Sequence, residues 1–184
     1  SLDTVDALLF PLLGRAVKDL LLNATAEDLQ ETAYSQPLLF AIQVGVTEVF
    51  ASLGVTPAAV VGHSVGEIAA AWACGALSLQ DAVRVIHARS ATQSTTRGLG
   101  RMAAFARSAE QSKALIKTLH LEAEVEIAGI NSPHNVTLTG SLKGLEKIHA
   151  HADGTFFQLL DLDYAFHSRH MDGIREALFA ALKD

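Results

Sequence analysis

The chain has 184 residues, of which 49% are hydrophobic and 18% charged, with a formal net charge of -6. This composition predicts a folded globular protein and excludes a disordered chain, while the acidic balance argues against nucleic acid as a partner. Cys74 cannot form an internal disulfide, and the longest apolar stretch is interrupted by His63 and Glu67, so it is a poor membrane span. We therefore expect a cytoplasmic protein without a membrane partner.

The first hundred residues are predicted to be mainly helical. Leucines and valines recur at helical spacing between residues 8 and 21. A second helix is predicted to start at Gln36–Pro37, with the proline in its first turn, and to end at Gly54. Residues 58–61 form a short apolar run that predicts a buried strand. Helices follow at 65–74 and 78–93.

A different pattern begins after Gly100. Strands are predicted at 102–105, 125–130, 135–139 and 156–162, and helices at 109–119 and 142–151. The resulting order, β-α-β-β-α-β, is the ferredoxin-like signature.

We therefore predict an α/β protein with two subdomains. An α/β-hydrolase-like large subdomain would comprise residues 1–100 and 164–184, and a ferredoxin-like small subdomain, residues 101–163, would be inserted into it. The chain begins without Met and ends in a helical pattern, so we expect a fragment that lacks both ends.

A nucleophile motif follows the predicted strand at residues 58–61. Residues 62–66 read Gly-His-Ser-Val-Gly, which matches G-x-S-x-G, and an Ala-rich helix comes next. In this arrangement the serine lies on a sharp turn between strand and helix. Ser64 is the candidate nucleophile, and the amide of Val65 at the helix N-terminus is a candidate oxyanion donor.

A serine hydroxyl needs a base, and the chain has eight histidines. His63 adjoins the nucleophile and suits a local hydrogen-bonding role. His167 and His170 follow the last predicted strand, where a loop would return to the larger subdomain. Residue chemistry alone leaves both of them open as the base.

Four segments resemble the malonyl-CoA:acyl carrier protein transacylases and, more closely, the acyltransferase domains of modular polyketide synthases. They are residues 34–40, the extended serine motif at 60–71, Arg89–Ser90, and the Asp-Tyr-Ala-Phe-His-Ser run at 163–168. The resemblance implies an enzyme of polyketide or fatty acid biosynthesis. It would move a malonyl-type extender unit from CoA to the phosphopantetheine thiol of an acyl carrier protein.

The resemblance also implies roles for individual residues. Ser64 would carry the acyl group, and His167 would act as the base. Arg89, otherwise interpreted as a surface arginine of a helix, would bind the free carboxylate of a malonyl group. Gln36 would line the pocket, and His63, Tyr164 and Phe166 are further candidate substrate-binding residues. The orienting carbonyl for the histidine and the second oxyanion donor are expected outside residues 1–184.

Acyl preference is implied by three further positions. Val65 and Phe166 are typical of malonyl domains, but Tyr164 stands where these more often have His. Malonyl is therefore favoured over methylmalonyl. No tightly bound cofactor and no metal are expected; the partners would be acyl-CoA, the carrier protein and a ketosynthase in the same polypeptide.

Two other functions remain as alternatives. A serine esterase or thioesterase would share the serine motif but would need an acidic residue to orient its histidine, for which Asp161 and Asp163 are available. A catalytically inactive docking domain is the non-enzymatic alternative.

Overall fold

The computed structural model of the protein describes residues 2–183. The chain divides into two compact units, one formed by Ser1–Ser94 with Ala177–Asp184 and the other by Thr95–Glu176. Among the described residues, no helix has the length and apolarity needed to cross a membrane.

The first unit is built from helices. They are α1 (Leu2–Leu13), α2 (Val17–Asn23), α3 (Ala26–Gln30), α4 (Thr32–Ser52), α5 (Gly66–Ala73) and α6 (Leu79–Ser94). The long helix α4 packs against α1, α5 and α6. The core of this unit includes Val5, Leu9, Phe40, Val44 and Ile86, which are fully buried. The predicted helices at 65–74 and 78–93 are confirmed within a residue or two.

The predicted start of the second helix at Gln36–Pro37 is wrong, because α4 begins at Thr32. The amides of Tyr34 and Ser35 both donate to the carbonyl of Glu31, at 3.0 Å each, so the first turn closes before the proline is reached. Pro37 is the sixth residue of α4, and it removes the one intrahelical hydrogen bond that an amide there would donate.

The predicted strand at residues 58–61 is also wrong. This segment has no strand partner, and the side chains of Val60 and Val61 are 37% and 96% exposed. A strand requires a neighbouring backbone for its hydrogen bonds. Within residues 2–183 all the strands lie in the second unit, so the apolar run stays unpaired there.

The second unit contains one antiparallel sheet. Its elements are β1 (Arg101–Phe105), α7 (Ala109–Thr118), β2 (Val125–Ser132), β3 (Asn135–Gly140), α8 (Leu142–Ala150) and β4 (Phe157–Leu159). The strand order is β2-β3-β1-β4, and Ala103 on β1 faces Leu138 on one side and Leu159 on the other. The predicted element order is confirmed, although β4 is shorter than the predicted 156–162.

Helices α7 and α8 pack against this sheet. Phe105, Leu138 and Ile148 are fully buried, and Phe105 meets Phe157 edge to face with ring centroids 5.8 Å apart. A reciprocal cap opens α7, because the hydroxyl of Ser108 accepts from the amide of Gln111 while the Gln111 side chain accepts from the amide of Ser108. Beyond β4, a loop leads to a 3-10 helix (Arg169–Ile174) and then to α9 (Arg175–Ala181).

Candidate active site

Ser64 occupies a sharp turn at the start of α5. Its φ is 51°, in the left-handed region that costs a non-glycine residue about 1–2 kcal/mol. The amide of Gly66 donates to the carbonyl of His63 at 2.9 Å, and the amide of Glu67 donates to the carbonyl of Ser64 at 3.1 Å. The chain therefore turns directly from the extended segment into the helix.

Gly62 makes this turn possible. A Cβ at this position would lie 2.3 Å from the Cα and 2.4 Å from the amide nitrogen of Glu67, closer than real Cβ contacts permit. A Cβ on Gly66, the second glycine of the motif, would meet only the Gln43 Nε2 at 3.5 Å, which is an ordinary contact. Only the first glycine is required by this close approach.

Arg89 on α6 reaches the serine. Its Nη2 donates to the Ser64 Oγ at 3.2 Å, and its Nη1 donates to the Gln36 Oε1. Burial lowers the pKa of the Arg89 guanidinium below its usual range, while the negative charge of Glu67 opposes this shift. Because arginine remains charged in proteins, a half-buried cation lies beside the serine hydroxyl.

Gln36 lies behind Arg89 and is buried. Its Nε2 donates to the Thr32 Oγ1 and, at 2.8 Å, to the Gln93 Oε1. Neither Thr32 nor Gln93 was predicted from the sequence as a site residue. The available signal was spacing, since Thr32 precedes Gln36 by four residues and Gln93 follows Arg89 by four, which places each pair on one helix face.

Val65 and His63 flank the serine. Val65 is the residue before α5 and has helical φ and ψ of -56° and -30°. The first amides of a helix have no partner within the helix, so its N-terminus carries a partial positive charge. The His63 side chain is exposed, whereas Ser64 is half-buried.

His167 lies in the second unit, in the loop that follows β4. Its side chain is exposed and its φ is 59°. Four residues other than glycine have positive φ within residues 2–183, namely Ser64, His120, Asp153 and His167. The two candidate catalytic residues are thus both held in a rarely populated conformation, which is a frequent property of functional sites.

Asp163 anchors the beginning of the histidine loop. Its carbonyl accepts from the amide of Gly98 at 2.9 Å. Its carboxylate pairs with Arg101 and lies 3.9 Å from the Arg97 Nε. Inside the loop, the Ser168 hydroxyl donates to the carbonyl of Ala165 at 2.6 Å.

Glu126 on β2 anchors the end of the same loop. Its carboxylate accepts from the Arg169 amide at 2.8 Å and from the Arg169 Nη2 at 3.3 Å, and that Nη2 also donates to the carbonyl of Glu122 at 2.9 Å. Burial raises the pKa of Glu126, but the hydrogen bonds and positive charge of Arg169 outweigh it, so the pKa lies below its usual value.

The remaining loop residues are held within the second unit. The rings of Tyr164 and Phe166 stack with centroids 4.9 Å apart and planes 8° apart, and Tyr164 is only 1% exposed. The His170 Nδ1 lies 3.1 Å from the Ser168 Oγ, so this ring is engaged within its own loop. Among the described residues, no group of His, Cys, Asp and Glu is arranged to hold a metal ion.

Known proteins share this arrangement of elements. The family model "Acyl transferase domain" matches residues 1–184. Erythronolide synthase EryA3 of Saccharopolyspora erythraea is 36% identical over 185 residues, which cover 99% of this chain and 6% of that protein.

Two solved structures are similar over nearly the whole chain. The acyltransferase domain from module 8 of the salinomycin polyketide synthase superposes with a TM-score of 0.90 at 31% identity, covering 98% of this chain and 43% of that one. Malonyl CoA-acyl carrier protein transacylase from Burkholderia pseudomallei has a TM-score of 0.87 at 26% identity, with 98% and 63% covered. The chain thus spans a small part of the synthase and about half of each solved chain.

Proposed function

The chain belongs to the acyltransferase domains of type I polyketide synthases, and from this premise we propose that it carries an acyl group on Ser64 and delivers it to a carrier-protein thiol. The observation that supports this most strongly is the elbow itself. A serine with a left-handed backbone lies two residues before a helix and accepts a hydrogen bond from a half-buried arginine.

The proposed reaction has two acyl-transfer steps, and the Ser64 oxygen is the nucleophile in the first and the leaving group in the second. The Ser64 Oγ attacks the thioester carbonyl of acyl-CoA while His167 takes its proton. The tetrahedral intermediate then expels the CoA thiolate, which His167 protonates, and an ester on Ser64 remains. The phosphopantetheine thiol of the carrier protein attacks this ester in the reverse sequence, which regenerates the serine.

The helix that follows the serine supports the charge that develops in each step. In the proposed reaction the developing oxyanion lies beside the amide of Val65, since the amides of Gly66 and Glu67 already donate to the carbonyls of His63 and Ser64. Backbone amides that already point at a developing oxyanion stabilise it without reorganisation, and each such donor is typically worth about 3 kcal/mol.

Arg89 is the proposed binding group for the free carboxylate of a malonyl unit. Its planar guanidinium can donate two parallel hydrogen bonds to a carboxylate, which an ammonium group cannot do with the same geometry. The hydrogen bond from Nη2 to the Ser64 Oγ supports this role, because it places the cation within a few ångströms of the acylated atom.

Malonyl is the extender unit that we propose, with malonyl-CoA as the donor. The identities of Val65 and Phe166 favour it, as does the similarity to the malonyl CoA-acyl carrier protein transacylase from Burkholderia pseudomallei. Tyr164 departs from the malonyl pattern, but it is buried and stacked on Phe166. One methyl group changes binding by only about 1–3 kcal/mol, so the discrimination against methylmalonyl is expected to be modest.

The architecture and partners belong to the same proposal. We assign the β-α-β-β-α-β unit as a ferredoxin-like subdomain inserted into an α/β-hydrolase-like subdomain, with no tightly bound cofactor. The acyl carrier protein is the acceptor, and a ketosynthase of the same polypeptide is the neighbour.

A hydrolase is the competing assignment, and Asp163 argues against it. A serine hydrolase needs an acid to orient its histidine. The Asp163 carboxylate is instead engaged by Arg101 and Arg97.

Partition of the acyl group tests the proposal. The full-length protein is incubated with labelled malonyl-CoA and a phosphopantetheinylated carrier protein, with Ser64→Ala as the control. Label on the carrier, absent with Ser64→Ala, is expected. Free malonate as the main product would indicate a hydrolase. No reaction with the folded protein would indicate a catalytically inactive docking domain.

Arg89→Ala is expected to reduce malonyl use much more than acetyl use; equal losses would contradict the carboxylate-binding role of Arg89.

A further inference from the structure

Gln93 is the residue of α6 that lies one turn beyond Arg89. Its side chain is half-buried, and its Oε1 accepts a hydrogen bond from the Gln36 Nε2 at 2.8 Å. Gln36 also donates to Thr32 and accepts from Arg89. Thr32, Gln36 and Gln93 together are named the amide network.

The direction of each hydrogen bond in the amide network follows from the chemistry of Arg89. A guanidinium has only donors, so the atom that Gln36 presents to it must be the carbonyl oxygen. The Gln36 amide nitrogen then points away from Arg89, and its two hydrogens have acceptors in Thr32 and Gln93. In the flipped orientation, the Gln36 amide nitrogen would face the Arg89 guanidinium, so that donor meets donor. The Gln36 oxygen would then face the Gln93 oxygen, so that acceptor meets acceptor.

The Gln93 oxygen accepts from Gln36 in the orientation that presents the Gln36 oxygen to Arg89, and so it stabilises that orientation. With Nη1 fixed by Gln36, the other arm of the guanidinium fork is directed at the Ser64 Oγ, 3.2 Å away. An arginine side chain has several freely rotating bonds, and a planar fork binds a carboxylate with two bonds only when its plane is fixed. The amide network supplies that constraint through the hydrogen bond from the Arg89 Nη1 to Gln36.

We propose that Gln93, together with Thr32, is a positioning residue that fixes the Arg89 guanidinium through Gln36 and so sets the preference for a dicarboxylic acyl group over a monocarboxylic one. This inference rests on the proposed function. Neither residue touches the acyl group in it, and their effect appears only where the carboxylate is bound by Arg89.

The test compares malonyl and acetyl transfer in matched variants. Gln93→Met keeps the length of the side chain and its helix propensity but removes the acceptor. Gln80→Met is the control, because Gln80 is an exposed glutamine on the same helix. The rate of acyl-enzyme formation is measured with malonyl-CoA and acetyl-CoA. Gln93→Met is expected to lower kcat/KM for malonyl-CoA about tenfold, the size typical of a lost hydrogen bond to a charged network, while acetyl-CoA and Gln80→Met remain within about twofold.

A double-mutant cycle separates positioning from a general structural role. In an Arg89→Ala background, Gln93→Met is expected to have no further effect on malonyl-CoA, because the group that it positions is gone. An equal loss with both acyl-CoAs, or the same loss in both backgrounds, would overturn the inference. Thr32→Val removes the other acceptor of Gln36, is expected to act in the same direction, and supplies the same comparison if Gln93→Met does not fold.

Failure of this inference is distinguishable from failure of the proposed function. If the unsubstituted protein forms a malonyl ester and Gln93→Met keeps its malonyl preference, only the role of the amide network is wrong. If the unsubstituted protein forms no ester, the proposed function itself is wrong.

Discussion

Ser64 and His167 both have left-handed backbones, with φ of 51° and 59°, but different interactions hold them. The serine turn is held by close packing, because Gly62 lets the backbone pass directly over Glu67. The histidine loop is held by charge, through Asp163 at its beginning and Glu126 at its end.

This difference predicts different sensitivities for the two segments. Steric repulsion rises steeply with overlap and does not depend on salt or pH. Partly exposed ion pairs are screened by salt and lose their partner when a carboxylate is protonated. Substitutions and solution conditions can therefore perturb one segment while leaving the other intact.

The largest effect is expected for Gly62→Ala. The added methyl would overlap the backbone of Glu67, so the turn must shift or the protein must accept a cost of about 1–3 kcal/mol. We expect a lower melting temperature and a loss of acyl-enzyme formation of at least about a hundredfold. Urea unfolding and intact-protein mass after incubation with malonyl-CoA measure the two effects.

Gly66→Ala is the matched control in the same motif. Its methyl would make only an ordinary contact with Gln43, and alanine favours a helix over glycine by about 1 kcal/mol. Stability is expected to be unchanged or slightly higher. Equal destabilisation by the two substitutions would show that packing does not distinguish the two glycines.

A smaller effect is expected for Asp163→Asn. It removes the charge that pairs with Arg101 and Arg97, while the carbonyl that accepts from Gly98 is retained. Because these side chains are about one-third exposed, the free energy of unfolding should fall by only about 1 kcal/mol or less. Acyl-enzyme formation should slow by more than stability alone explains, whereas Asp161→Asn, a neighbouring exposed carboxylate, should change neither.

Glu126→Gln is expected to show a pH-dependent effect. The pKa of Glu126 is lower in the folded protein, so its contribution to stability is present above the unfolded value of about 4.3 and is lost as pH falls through the folded pKa. The variant should be less stable near neutral pH and equal to the unsubstituted protein in acid. Hydrogen exchange of the Arg169 amide reports this directly. Glu122→Gln is the control, since only the backbone carbonyl of Glu122 receives a bond from Arg169; a constant difference at every pH would contradict the prediction.

Salt should have the smallest effect. Raising ionic strength from about 0.1 M to about 1 M shortens the Debye length from about 10 Å to about 3 Å. Exchange of the Arg169 amide should become faster, while that of the Glu67 amide, which donates to the Ser64 carbonyl, should not. Equal acceleration of both would remove the distinction between the two segments.

Local signals in the sequence predicted much of the fold. The predicted helices correspond to α5 to α8 and the predicted strands to β1 to β3, with capping serines as the signal for α6 and α7 and alternation as the signal for β2. The apolar run at 58–61 was misread because composition does not reveal whether a neighbouring strand exists. Pro37 was misplaced because proline normally lies in the first turn of a helix, whereas here it is the sixth residue of α4.

The candidate site was predicted less completely. The serine motif is contiguous in sequence, so Ser64 and Gly62 could be identified from it. The bond from Gln36 to Gln93 joins residues 57 apart and depends on the packing of α4 against α6. The bond from Arg169 to Glu126 joins residues 43 apart. Pairings of polar residues at such separations leave no periodic signal.

The most direct measurement is the location of the acyl group after brief incubation with malonyl-CoA, acid quenching and peptide mass spectrometry. We expect a malonyl ester on the Ser64 hydroxyl, absent in Ser64→Ala and formed about a hundredfold or more slowly in His167→Ala. An ester on another residue, or undiminished acylation of Ser64→Ala, would contradict the assignment of Ser64 as the nucleophile.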